Sequence, residues 1–233
     1  ADGCPVKDEV VKVAKRLDLS VIFVANRQMR IPNGPRCRLQ VVAALFDAAD
    51  DWIAENCNEK TVVVTGASGG VGTALVQLAR LRGARVVAVT SSAKFADVAA
   101  CGADACVDRT SEDLVGAVIE AAGGPVDVLA DVVGGPDFAL LLEALRRGGR
   151  YTTAGAIAGP VVDLDLRTLY LNDLELYGCT VYEPPVFEAL VGYIRRGEVR
   201  PVVAATYPLS DFHAAQEAFV AKAHTGAMVI TVD

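Results

Sequence analysis

TVVVTGASGGVGTALVQLARLRGARVVAVTSSAK, residues 61–94, decides the fold. Thr61–Thr65 is a run of β-branched residues with no polar face, the pattern of a strand covered on both sides. The run breaks at Gly66 and passes through Ser68-Gly69-Gly70. It then resumes with apolar residues at helical spacing: Val71, Leu75, Leu78, Ala79 and Leu81. Arg85–Thr90 is a second buried run, so the unit reads strand, glycine corner, helix, strand. A corner without side chains lets an anion reach the backbone, and the helix behind it aims free N–H groups and its positive dipole end at that anion. This is the geometry of a dinucleotide diphosphate site.

Downstream the alternation continues. A helix over Ala96–Ala100 is expected ahead of Gly102, then a strand Ala105–Val107 and a helix capped by Ser111 that runs to Ala122. Val126–Val133 reads as a buried strand ending in Gly134-Gly135-Pro136. A helix over Phe138–Leu145 is expected to stop at Gly148-Gly149, followed by strands Arg150–Ala154 and Leu174–Tyr182. The tail predicts a helix Val186–Arg196, a strand Val202–Tyr207, a helix capped by Ser210 or Asp211, and a strand Ala227–Val232. Strands alternating with helices imply an α/β fold, a doubly wound parallel sheet of Rossmann type, with ligands at the carboxyl ends of the strands. Gly66, Ser91, Gly134 and Gly155 all fall at such ends.

Upstream, residues 1–57 form an added N-terminal α/β segment. Helices are expected over Asp8–Leu17 and Asp47–Glu55 and strands over Val21–Ala25 and Val41–Leu45. A basic loop, Arg27–Arg38, is broken by Pro32, Gly34 and Pro35. This segment carries eight basic and eight acidic residues, so the whole net charge of −7 falls after residue 57. That charge argues against a nucleic-acid surface. No apolar run approaches the roughly 18 residues of a membrane helix, and no leader peptide is evident, so a cytoplasmic protein off the membrane is expected. Ala1 points to an earlier true start. The six cysteines, Cys4, Cys37, Cys57, Cys101, Cys106 and Cys179, are scattered without a CxxC pair and read as free thiols. No metal site is expected.

Two resemblances divide the chain into 1–57 and 58–233. ADGCP, VANR, RIP and FDAADDWI resemble the N-terminal half of the YaiI/YqxD proteins, relatives of PIN-type nucleases. That resemblance implies carboxylates around hard cations. Asp2, Asp50 and Asp51 are present, but two expected acidic positions are not, so an active nuclease is not expected. VVVTGASGGVGTALVQLARLRGARVVAV, VDVLADVVGG, LRRGGRYTTAGAIAG and YPLSDFHAAQEAFVAKAHTGAMVI resemble the cofactor domain and C-terminal return of zinc-independent medium-chain dehydrogenases/reductases, of the quinone oxidoreductase type. The resemblance implies diphosphate contacts at Ser68, Gly69, Gly70, Val71 and Gly72, and nicotinamide-side contacts near Val133, Gly134, Gly155 and Ala156. Ala67 stands where zinc-dependent relatives carry a glycine. The GroES-like catalytic barrel of that family does not precede residue 58. The strand Thr61–Thr65 is thus claimed by both families, and the longer C-terminal set of strands is expected to flank it.

Where the second strand ends, Thr90-Ser91-Ser92-Ala93-Lys94 offers hydroxyls and an ammonium and no acid. An acid there would hold the ribose of NAD, whereas Ser91 and Lys94 suit the 2′-phosphate of NADP. The expected cofactor is therefore NADP. TGASGGVG also fits the short-chain dehydrogenase turn, but no Tyr and Lys stand four apart to move a proton. His213 and His224 have no spacing of a metal motif. An NADPH-dependent reductase of a small quinone or enone is expected. A non-catalytic NADP(H)-binding module is the alternative, and a metal-dependent nuclease remnant a more distant one. The second resemblance also implies a homodimer through the strand at 174–182.

Overall fold

The computed structural model describes residues 60–179 and 184–231, together with the short strand Ile22–Phe23. The helices expected over Asp8–Leu17 and Asp47–Glu55, the strand Val41–Leu45, the carboxylates Asp2, Asp50 and Asp51, and Cys4, Cys37 and Cys57 lie outside the described residues. From the N-terminus the described elements begin with β1 (Ile22–Phe23), β2 (Thr61–Thr65), α1 (Gly70–Leu81), β3 (Arg85–Thr90), α2 (Phe95–Ala100), β4 (Ala105–Asp108) and α3 (Leu114–Ala122). They continue with β5 (Val126–Asp131), α4 (Asp137–Leu142), β6 (Leu145–Thr153), α5 (Leu166–Leu171) and β7 (Glu175–Gly178). The return segment holds α6 (Pro184–Arg195), β8 (Val203–Pro208), α7 (Phe212–Ala221) and β9 (Ala227–Thr231).

Six strands form one parallel sheet in the order β4-β3-β2-β5-β6-β7. Chain order runs outward from β2 in one direction and from β5 in the other, so the topological switch point falls between them. There the following helices leave to opposite faces and open a crevice at the strand ends. The strand that both families claim is flanked by Arg85–Thr90 and Val126–Asp131, as the C-terminal pattern predicted. Ile22–Phe23 pairs instead with β9, antiparallel, in a small sheet of order β1-β9-β8.

The unbroken β-branched runs follow from burial on both faces. Val63, Val87, Val89 and Leu129 point to one side, where α3 and α4 contribute Leu114, Val118, Phe138 and Leu141. Val62, Val64, Val86 and Ala88 point to the other, against Leu75, Val76 and Ala79 of α1 and Val98 of α2. Each fully buried valine contributes roughly 1.5–3 kcal/mol relative to an exposed one. The return segment joins α1 through Leu78, which packs on Leu190 and Val199, and through Gln77, whose amide exchanges hydrogen bonds with the backbone of Arg200 at 2.9 and 2.8 Å.

Local details differ from the sequence pattern. Asp113, not Ser111, caps α3: its carboxylate accepts the Gly116 N–H at 2.8 Å, and a serine two residues earlier is too far out to reach the first turn. The helix after β5 ends at Leu142, and β6 begins at Leu145 and runs straight through Gly148-Gly149, which bend the strand and do not stop a helix. At Gly148 φ is +70°, a conformation glycine adopts without strain. The helix α5 was not visible in the sequence pattern. The strand expected over Leu174–Tyr182 is described as Glu175–Gly178. Neither Ser210 nor Asp211 gives α7 a side-chain cap.

Candidate functional site

The glycine corner joins β2 to α1. Gly66 has φ +57° and lies against the Val132 and Val133 side chains, so a Cβ there would come within 2.9 Å of one of them. Gly69 N donates to Gly66 O at 2.9 Å, closing the turn. Gly72 sits where a Cβ would fall 2.2 Å from Gly66 O and 2.6 Å from Ala67 Cα, so α1 can dock on the turn only with a bare backbone. Gly69 occupies the N-cap position with extended dihedrals and no side-chain cap, and the first turn carries no acid. Four N–H groups at a helix start lack intrahelical partners. Here those of Gly70, Val71 and Gly72 have no side-chain acceptor among the described residues, which is the fitting surface for a diphosphate.

The C-terminal return forms one wall of that corner. Gly226 N donates to Ser68 O at 2.8 Å, and Gly69 and Gly226 form an isolated parallel bridge. Gly70 faces Ala227 closely enough that a Cβ on it would lie 3.3 Å from the alanine Cβ.

At the end of β3 the side chains are divided between two tasks. The Lys94 ammonium donates to the carbonyls of Lys222 and His224 at 2.7 Å each, so it ties the return segment to this loop. Burial lowers its pKa first and the nearby Arg109 guanidinium second, with Asp97 opposing. Asp97 accepts from Thr225 Oγ1 at 2.8 Å and completes the clasp. Asp108, at the end of β4, accepts from the Thr110 hydroxyl and N–H at 2.7 and 2.9 Å and from Ser92 N at 3.3 Å. The Thr110 hydroxyl bond is the main reason its pKa is held down to about 2.

At the ends of β5 and β6 a buried carboxylate organises the backbone. Asp131 is 2% exposed. It accepts the hydroxyl of Thr65 on β2, the hydroxyl of Tyr151 on β6 at 2.6 Å, and the N–H groups of Val133 and Gly134 at 2.8 and 3.0 Å. Burial, and next the bond to that carboxylate, push the Tyr151 phenol well above its ordinary range, so it stays a proton donor to Asp131. The turn after β5 locks onto the loop after β6: Ala158 N donates to Val133 O at 2.9 Å and Gly135 N to Gly159 O at 3.1 Å. Gly155 faces Val132 O, which a Cβ would approach to 3.0 Å. Beside these loops lies a cavity of about 260 Å³, lined among others by Phe138, Tyr151, Ala156, Val162, Leu176 and Tyr177.

The structure therefore brings the sequence-derived residues to four neighbouring strand ends in the order β3, β2, β5, β6: Ser91, then Ser68–Gly72, then Val133 and Gly134, then Gly155 and Ala156. Lys94 is at the β3 end too, with its ammonium already engaged by the return segment. Asp131, Thr65 and Tyr151 were missed, as were Asp108 and Arg109. Of these, the last two carried a signal: a charged pair directly after a buried strand adjacent to β3.

A parallel sheet wound in both directions from a glycine corner, with an uncapped helix start at its switch point, defines the class as a doubly wound α/β domain of Rossmann type. The chain belongs to the zinc-binding dehydrogenase family, whose model matches residues 70–196, and its N-terminal part to the YaiI/YqxD (UPF0178) family, whose model matches residues 1–97. An acryloyl-coenzyme A reductase from Metallosphaera sedula is 34% identical over 176 residues, 74% of this chain and 51% of that protein. A UPF0178 protein from Sphingopyxis alaskensis is 38% identical over 125 residues, 54% of this chain and 77% of that protein. Among solved structures, a Sinorhizobium meliloti protein given as a candidate alcohol dehydrogenase is 49% identical with a TM-score of 0.78, covering 83% of this chain and 54% of that one. The 2-octenoyl-CoA carboxylase reductase CinF, solved with NADP and 2-octenoyl-CoA, is 26% identical with a TM-score of 0.75, covering 82% of this chain and 47% of that one. The chain spans about half the length of most of the curated relatives it matches. Among the described residues no three His, Cys, Asp or Glu side chains gather as a metal-ligand set, so these residues do not fit a zinc ion. No helix among them is long and apolar enough to cross a membrane.

Proposed function

We propose that the chain binds NADP(H) along the four strand ends and acts as an NADPH-dependent reductase of a double bond conjugated to a carbonyl, the class that includes quinones and enones. The observation that carries this is the uncapped start of α1 at the switch point, whose first three N–H groups have no side-chain acceptor among the described residues. Ser68, Gly69, Gly70, Val71 and Gly72 hold the diphosphate, Ser91 and Arg109 take the 2′-phosphate, and Val133, Gly134, Gly155 and Ala156 border the nicotinamide half. Bound there, the cofactor supplies a hydride. The protein's share is orientation: bare backbone at the corner, and two interlocked loops beside the nicotinamide half. Similarity to a reductase of an unsaturated acyl thioester favours that form of conjugated substrate.

Mixing the purified chain with NADPH and a panel of quinones, enones and 2-enoyl thioesters, and following loss of the reduced-nicotinamide absorbance, tests the activity. Oxidation with a conjugated acceptor is expected. Saturable binding without oxidation of NADPH across the panel would select the second reading, a non-catalytic NADP(H)-binding module. We further infer a homodimer through β7, the exposed edge of the sheet. Leu176 and Tyr177 of that strand and Leu166, Tyr170 and Leu171 of α5 are exposed beside it. A monomeric mass in sedimentation would refute the dimer.

A further inference from the structure

We infer that Asp131 is a positioning residue for the nicotinamide half of the cofactor site, acting through the turn Val132–Gly135; this rests on the cofactor reading above. A carboxylate on a strand buried to both faces is costly unless every lone pair is used. Asp131 meets that demand without a cation. Its Oδ1 accepts from Thr65 Oγ1 and Val133 N, and its Oδ2 from Tyr151 Oη and Gly134 N. Thr65 Oγ1 in turn accepts from Val132 N at 3.2 Å. Three consecutive N–H groups, those of Val132, Val133 and Gly134, are thus drawn inward by one buried network that also spans β2, β5 and β6.

The consequence for the crevice is geometric. With its N–H groups pulled inward, the turn directs the opposite edges of those peptides outward. Val133 O takes Ala158 N, and Val132 O is left at the position that Gly155 keeps clear. Gly134 and Gly135, with φ +60° and +73°, fit against Ala156, Ala158 and Gly159 with no room for a Cβ. Asp131 therefore fixes at once the two loops that flank one half of a dinucleotide lying across the switch point. Toward the glycine corner its hydrogen bond is to Thr65, one residue before Gly66, and the turn it holds sets Val132 and Val133 beside Gly66. An apolar residue at 131 would fill the strand without any burial cost of charge, but it would leave two N–H groups and two hydroxyls without their acceptor.

The test separates the two halves of the site. Calorimetric titrations of the full chain and of Asp131→Asn are run with NADP⁺ and with 2′-phospho-ADP-ribose, which lacks the nicotinamide. NADP⁺ binding is expected to weaken about tenfold, the scale of one lost charge-assisted hydrogen bond, and the fragment to stay within about twofold. Should Asp131→Asn fail to fold, Tyr151→Phe removes one donor and keeps the carboxylate, with about threefold weakening expected for NADP⁺ alone. A general structural role would move both ligands together. Parallel losses, or an unchanged NADP⁺ affinity, would overturn the assignment of Asp131. A wild-type chain that binds neither ligand would overturn the cofactor reading itself, a result easily told apart from the first.

Discussion

At the β2 end of the crevice the backbone is shaped by what the chain leaves out, and at the β5 end by a side chain it buries. Around Ser68–Gly72 the helix start has no side-chain cap among the described residues, and α1 closes onto the turn because Gly72 has no Cβ. Around Val132–Gly135 the turn is held by Asp131 through Thr65 and Tyr151, which come from two other strands. The first construction leaves N–H groups free for an anion. The second consumes its N–H groups internally and offers shape. One end offers donors without a side-chain acceptor, and the other a backbone surface of fixed shape.

The substitution expected to break the first end most severely is Gly72→Ala. Its Cβ would meet backbone atoms of Gly66 and Ala67, which cannot rotate away, and overpacking of this kind costs about 3 kcal/mol or more. Thermal unfolding should show a large drop, with cofactor affinity lost together with stability and not selectively as at Asp131.

Smaller effects are expected at the β3 end, the proposed 2′-phosphate site. Arg109→Ala should lower NADPH affinity by about tenfold and leave NADH nearly unchanged, as for loss of one cation facing a phosphate. Asp108→Asn should do the reverse, raising the preference for NADPH, since it removes a carboxylate from beside Ser92. Because the Asp108 carboxylate is held down to about 2 from an ordinary 3.8, its influence is complete above about pH 4 and fades only as pH falls toward 2. Paired titrations with NADPH and NADH at neutral pH, where the Asp108 carboxylate is fully ionised, check the direction of the effect. A wild-type chain with equal affinity for both cofactors would remove the assignment of Ser91 and Arg109 to a 2′-phosphate.

The smallest effect lies outside the crevice. Asp113→Ala removes the cap of α3 and should cost about 1 kcal/mol by chemical denaturation, with no change in cofactor affinity. A change in affinity there would mean that stability and binding are not separable by region as the comparison requires.

The two ends also differ in how far the sequence discloses them. The glycine corner is local: the strand, the turn and the helix that make it occupy 21 consecutive residues, so spacing alone exposes it. The Asp131 network is not, because its partners stand 66 residues before and 20 after, and only the sheet order makes β2, β5 and β6 neighbours. Lys94 shows a different limit. Its position after β3 was evident, but the carbonyls that claim its ammonium come from the return segment, 128 and 130 residues later. The cap of α3 was misplaced by two residues because Ser111, Glu112 and Asp113 all have capping or first-turn chemistry, and only the carboxylate's reach to Gly116 N distinguishes them.

The most direct measurement is an isothermal titration of the full chain with NADPH, repeated on Ser68→Asp. An aspartate at the corner adds a negative charge where a helix start favours one, so stability should hold while the diphosphate is repelled. Saturable one-to-one binding by the wild-type chain is predicted, with an affinity lower by about tenfold or more in the variant. A wild-type titration without heat of binding at millimolar cofactor, or equal affinity in both proteins, would contradict it.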